Sequence, residues 1–294
     1  MLPREVIRQI RRLQIQARRA VEDLLGGEYH SVFKGAGIAF EEVRAYQPGD
    51  DIRTIDWNVT ARMGQPFIKR FVEERELTVV LLIDCSASHQ FGTQFQRKRE
   101  VAAELAALIA FTAVSNNDRV GLVQFTDEVE RFVPPRKGSR HVLRLIRDVL
   151  YFQPKRTATC LRAGLDYLNR VLHRRSIVFL ISDFLDEDFE QALKRAGRRH
   201  DLIAIKITDP REEDLPAVGF LELQDAETGR RILLDTNSRA LREEFRRTAL
   251  RVAQSVRQAA RTAHVDLIDV STTGGHLDAL IRFFKMRERR LRRT

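Results

Sequence analysis

Apolar and polar positions along this chain follow two rhythms. Short runs rich in β-branched residues recur at residues 78–83, 120–125, 176–181, 202–207 and 265–270. Most are apolar throughout rather than alternating, the pattern of strands buried on both faces of a parallel sheet. Between them apolar residues return every three or four positions: Val101, Leu105, Leu108 and Ile109, then Leu143, Ile146 and Leu150, then Leu161, Leu165, Leu168 and Val171. That spacing gathers one apolar stripe along a helix. Strands alternating with helices predict an α/β domain, a doubly wound and mostly parallel sheet of at least five strands with helices on both faces. Residues 238–263 predict a long helix before the last strand. Leu277, Leu280, Ile281 and Phe284 predict a final apolar helix face that packs on the sheet. Residues 219–223 and 231–234 flank Asp225-Ala226-Glu227-Thr228-Gly229, which predicts a hairpin attached near the sheet edge.

The chain ahead of this domain reads differently. In residues 1–27, Val6, Ile10, Leu13, Ala17, Val21 and Leu24 line one side of a basic N-terminal helix that ends at Gly26-Gly27. Residues 28–77 lack clean periodicity, and Pro48-Gly49 marks a turn. The expected organisation is therefore an N-terminal helix (1–27), a distinct segment packed on the main domain (28–77), the α/β domain (78–285) and a basic tail (286–294).

Charge changes the picture less than its total suggests. Of the formal +10, residues 1–27 carry +3 and residues 282–294 carry +6, leaving +1 for everything between. A body built to track phosphates is not indicated, and no nucleic-acid partner is expected; the basic termini suit peripheral contact with an anionic membrane. The only cysteines, Cys85 and Cys160, lack zinc-site spacing and supply no disulfide framework. No uncharged run is long enough to span a bilayer, and the first residues lack an apolar signal core. The expected location is the cytoplasm, with peripheral attachment at the inner membrane.

The candidate chemistry lies where the first strand stops. Residues 78–83 run directly into Asp84-Cys85-Ser86-Ala87-Ser88, and a second buried strand ends in Ser182-Asp183-Phe184. In parallel α/β sheets ligands gather beyond the carboxyl ends of the strands. Thr159 begins the predicted helix 160–172, and its hydroxyl can face the same edge; it is chosen over Thr157, the alternative, because it lies closer to the apolar repeat. Carboxylate and hydroxyl oxygens suit a hard cation such as Mg2+, Mn2+ or Ca2+. If Ser86, Ser88 and Thr159 coordinate directly and the aspartates act partly through water, the ion keeps its positive character and takes one more anionic oxygen from a partner.

Asp84-x-Ser86-x-Ser88 with Thr159 and Asp183 resembles the metal-ion-dependent adhesion site of von Willebrand factor A domains. Residues 43–57, Val-Arg-Ala-Tyr-Gln-Pro-Gly-Asp-Asp-Ile-Arg-Thr-Ile-Asp-Trp, resemble the hallmark of the MoxR-associated proteins of domain-of-unknown-function family 58. Gly35-Ala36-Gly37, Ala61-Arg62, Glu74-Arg75, residues 117–121 and residues 134–138 fit the flanking pattern. The resemblance implies a von Willebrand factor A-like fold, a divalent-metal site at those five residues, and a MoxR-type AAA+ ATPase, with its client protein, as partner. It implies an adaptor rather than an enzyme. His89 stands where related domains commonly carry Met, and a surface or packing role is expected for it. An Asp84 phosphoryl-transfer site is the enzymatic alternative, but Ser86 occupies the place of the second carboxylate such chemistry uses. No Gly-x-Ser-x-Gly, His-Glu-x-x-His or phosphate-loop signature occurs.

Overall fold

A computed structural model of the chain describes Ile15 and residues 39–72, 76–93 and 96–291. The basic helix expected over residues 1–27, the Gly35-Ala36-Gly37 and Glu74-Arg75 matches, and the last three residues of the tail lie outside these. The described chain divides into two compact units near Leu77 and Thr78.

In the first unit, strands β1 (Ala39–Ala45) and β2 (Phe67–Val72) pair antiparallel. Helix α1 (Trp57–Met63) lies between them in sequence, its first N–H groups capped by the Asp56 carboxylate. The turn after β1 is held by an ion pair: Arg44 donates to Asp50 at 2.7 Å, and Asp50 also accepts from the Gln47 N–H. Asp51 and Asp56 instead satisfy backbone donors. Trp57 is exposed.

The second unit holds a six-stranded sheet. Its strands are β3 (Thr78–Asp84), β4 (Arg119–Phe125), β5 (Val129–Arg136), β6 (Ile177–Ser182), β7 (Asp201–Thr208) and β10 (Asp266–Ser271), in the order β10-β7-β6-β3-β4-β5. All five predicted strands are present and parallel, and the sixth, β5, is an antiparallel edge. Pro134 and Pro135 kept β5 from reading as a strand, because proline cannot donate to a ladder and is confined to edges and bulges.

Helices α2 (Lys98–Ser115), α3 (Ser139–Tyr151), α4 (Leu161–Val171), α5 (Glu190–Arg199), α7 (Arg239–Ala263) and α8 (His276–Leu291) cover the sheet; α6 (Pro210–Glu213) is a single turn. Val80, Leu82, Val123, Phe125, Val178 and Leu180 face one core, filled from outside by Leu161, Leu165 and Leu168 of α4 and by Ala192, Leu193 and Ala196 of α5. Alternate positions such as Leu81 and Ile83 turn to the opposite face, where α2 presents Val101, Leu105 and Leu108. Gly164 lets α4 approach β4 closely, since a Cβ there would stand 2.9 Å from the Phe125 ring. Helix α5 lacks a long apolar repeat and was not foreseen. Strands β8 (Phe220–Gln224) and β9 (Arg231–Asp235) form the expected hairpin, but as a separate two-stranded sheet rather than an extension of the main one. Helix α8 runs on through residues expected to form a solvated tail: Arg287 pairs with Asp201 of β7, and Arg290 with Asp266 of β10. Among the described residues no helix is long and apolar enough to cross a membrane.

One buried imidazole makes this domain sensitive to acid. His200, at the end of α5, is 1% exposed and accepts the Ser176 N–H at Nδ1. Burial, then the neighbouring Arg199 and Arg175, hold its pKa down at about 4. The unfolded chain takes up this proton near pH 6.5 and the folded chain does not, so the contribution to stability is complete above pH 6.5 and is lost as pH falls toward 4. Urea unfolding between pH 7.5 and pH 4 should lose stability more steeply in the wild type than in His200→Asn, the slopes differing by up to about one proton. Parallel slopes would show that His200 is not responsible.

Candidate metal centre

The chain leaves β3 to the β4 side of the sheet and returns to the β6 side, so β3 and β6 flank the point where strand order reverses. Their parallel register pairs Ile83 with Ile181, which sets Asp84 level with Ser182. Asp84 is 1% exposed, and both its oxygens are engaged: Oδ1 accepts the Ser86 N–H at 2.9 Å and Oδ2 accepts the Ser182 hydroxyl at 2.7 Å. The chain then tightens into a 3-10 turn over Ala87–Gln90, bringing the Ser86 and Ser88 hydroxyl oxygens within 3.0 Å of each other. Asp183 follows β6 directly, with the Ser88 hydroxyl among the groups that lower its carboxyl. The next residue, Phe184, takes a left-handed backbone with φ 59°, costly for a bulky side chain and therefore a mark of a tightly determined turn. Its ring is held edge-on against Phe189.

Two further residues complete the cluster. Lys98, at the start of α2, has no solvent exposure and donates to Asp183 at 2.8 Å and also to Glu212 of α6. His89 is buried too, its Nε2 lies 3.7 Å from Asp84 Oδ2, and neither ring nitrogen has a hydrogen-bond partner. One ligand atom from each of Asp84, His89 and Asp183 lies within 4.8 Å of the other two. Burial pushes the Asp84 carboxyl up; His89 and the Ser182 and Ser86 bonds work against that, and Asp183 adds to it. Burial also works to raise Asp183, but the Lys98 ammonium outweighs it and holds this carboxyl low. Glu212, the other carboxylate sharing that ammonium, is raised by burial.

The donor set fits a divalent cation. Two carboxylates and two adjacent hydroxyls supply hard oxygens, and an imidazole with two orphaned buried nitrogens is a costly arrangement that an ion or a bound water would relieve. Lys98 offsets part of the carboxylate charge and the hydroxyls are neutral, so an ion bound there would keep positive character.

The structure thus brings Asp84, Ser86, Ser88 and Asp183 together, and its loops put Thr159 close by. The Ala87 N–H donates to the Thr157 carbonyl, and helix α4 begins at Leu161, two residues beyond Thr159. The Thr159 hydroxyl donates at 2.6 Å to Glu227, at the tip of the β8–β9 hairpin. His89, expected at the surface or in packing, lies inside the cluster. Lys98, Glu212 and Glu227 were not foreseen. Lys98 had left a trace, because it falls on the helical stripe that continues through Val101, Leu105 and Leu108. Cys85 is an inert neighbour, its thiol pushed up to about 12 by burial and then by Asp84. Ser88 and Glu227 line a cleft of about 770 Å³ whose apolar wall includes Leu185, Leu215, Leu221 and Leu223.

The profile described as "Protein of unknown function DUF58" matches residues 42–255. The chain belongs to the DUF58 family. An uncharacterized protein of Mycobacterium bovis is 33% identical over 285 residues, spanning 95% of this chain and 89% of the relative. Among solved structures, an aerotolerance-related membrane protein from Bacteroides fragilis matches with a TM-score of 0.50 at 15% identity, over 73% of this chain and 99% of that one. The SpRpn10 VWA domain matches with a TM-score of 0.39 at 15% identity, over 70% and 93%. The fold of this DUF58 chain is α/β, a mostly parallel sheet flanked by helices, like that of the Bacteroides fragilis protein.

The shared ammonium gives the first test of the site. Lys98→Met leaves Asp183 and Glu212 facing each other in a buried space, and breaking such a pair costs about 3–5 kcal/mol. Urea denaturation should register that loss, and adding Asp183→Asn and Glu212→Gln to Lys98→Met should recover much of it. A single variant as stable as the wild type would show that the ion pair contributes nothing.

Proposed function

We propose that this DUF58 protein is a non-enzymatic adaptor that grips an acidic residue of a partner through a divalent ion, Mg2+ or, alternatively, Mn2+ or Ca2+, at Asp84, Ser86, Ser88, Thr159 and Asp183. One observation carries the reading: two buried carboxylates, two touching hydroxyls and an unpartnered imidazole meet at the switch point of a parallel sheet, beside an open cleft. A divalent ion held there supplies a position for one further anionic oxygen. Asp84 orients Ser86 through its N–H, Ser86 and Ser88 present their oxygens side by side, and Lys98 fixes Asp183. The partner is a MoxR-type AAA+ ATPase or its client, as the family resemblance implies, and the ATPase provides the work. The site of action is the cytoplasm, with the basic termini making peripheral contact with the inner membrane.

The phosphoryl-transfer reading is weaker. Ser86 stands where such chemistry uses a second carboxylate, and the Asp84 side chain is buried.

Binding of a MoxR-type AAA+ ATPase to the immobilised full chain, measured in Mg2+ and in chelator, tests the adaptor. Affinity should be about tenfold or more tighter in Mg2+, and Asp84→Ala and Ser86→Ala should abolish that difference while circular dichroism stays unchanged. Equal affinity in both buffers for all three proteins would sink the metal bridge.

A further inference from the structure

The β8–β9 hairpin shares no ladder with the main sheet, yet its tip is firmly shaped. Asp225 Oδ1 accepts the N–H groups of Glu227 and Thr228, at 2.9 and 3.2 Å, and the Gly229 N–H closes the turn on the Asp225 carbonyl. That turn presents Glu227 to the loop before α4. The Glu227 carbonyl accepts the Thr157 hydroxyl at 3.1 Å, and its carboxylate takes the Thr159 hydroxyl at 2.6 Å and the Thr159 N–H at 3.3 Å. One acidic residue therefore holds both threonines that the sequence offers to the metal site. The groups that bond it are all neutral. Glu227 and Ser88 line the same cleft, and the loop that Glu227 grips meets the Ser86–Ser88 turn where the Ala87 N–H donates to the Thr157 carbonyl. A half-buried acid is thus held, on a turn built to present it, against the loop that offers Thr159 to the metal site.

We propose that Glu227 is the chain's own occupant of the anionic position that the metal centre offers, so that the hairpin closes the site in cis and a partner's carboxylate must displace it. The proposal rests on the metal-bridge reading above. It assigns the hairpin a purpose: Glu227 completes the site when no partner is present, and the cleft behind it, walled by Leu185, Leu221 and Leu223, lies beside the exchange.

Mn2+ alone, titrated calorimetrically into the full chain, tests this alongside hydrogen exchange of the amides of residues 225–229. Glu227→Gln keeps an acceptor for the Thr159 hydroxyl and removes only the charge, so it separates coordination from hairpin folding. Its Mn2+ affinity should fall roughly tenfold relative to the wild type. Mn2+ should slow hairpin exchange in the wild type and leave it unchanged in Glu227→Gln. Equal or tighter Mn2+ binding by Glu227→Gln, or no slowing in the wild type, would overturn the cis-ligand while the metal centre stands. If the wild type takes up no Mn2+ beyond what Asp84→Ala takes up, the metal-bridge reading fails first and this proposal fails with it.

Discussion

Everything at the functional edge depends on one constraint, the parallel register of β3 against β6. Pairing Ile83 with Ile181 forces Asp84 and Ser182 to the same level, and Asp183 emerges one residue later beside them. Two carboxylates so close, cut off from water, repel each other and lose hydration. The fold answers with donors instead of space. Ser182 and the Ser86 N–H hold Asp84, while Lys98 reaches across 85 residues of sequence to Asp183. The turn at Ser86–Ser88 and the left-handed Phe184 are local consequences of fitting these donors around the strand ends.

The central architecture was legible because strands buried on both faces cannot hide their composition. Thr78 to Ile83 and Ile177 to Ser182 are apolar nearly from end to end, and the helices between them repeat with helical spacing. What escaped was whatever tertiary context decides. Strand β5 carries two prolines and is a strand only because β4 offers it an edge. Helix α5 is too short and too charged to announce itself, and it folds because Ala192, Leu193 and Ala196 find the sheet.

The site divides along the same line. Asp84, Ser86, Ser88 and Asp183 are visible because their spacing follows strand ends, a local signal. Glu212 and Glu227 are visible only once the chain is folded, since each meets its partner across a long stretch of sequence. His89 sits one residue beyond the Ser88 hydroxyl, and nothing local says that its ring turns inward; the 3-10 turn decides that. Thr159 shows the opposite: the sequence offered its hydroxyl, and a hairpin on another part of the chain claimed it.

Strand β5 has a further consequence at the rim of the sheet. Pro134 and Pro135 remove two N–H donors from an eight-residue edge, and a register shift in its pairing with β4 disturbs the ladder there. An incoming strand from another molecule would find a broken row of donors, so the sheet resists growth by aggregation on this side.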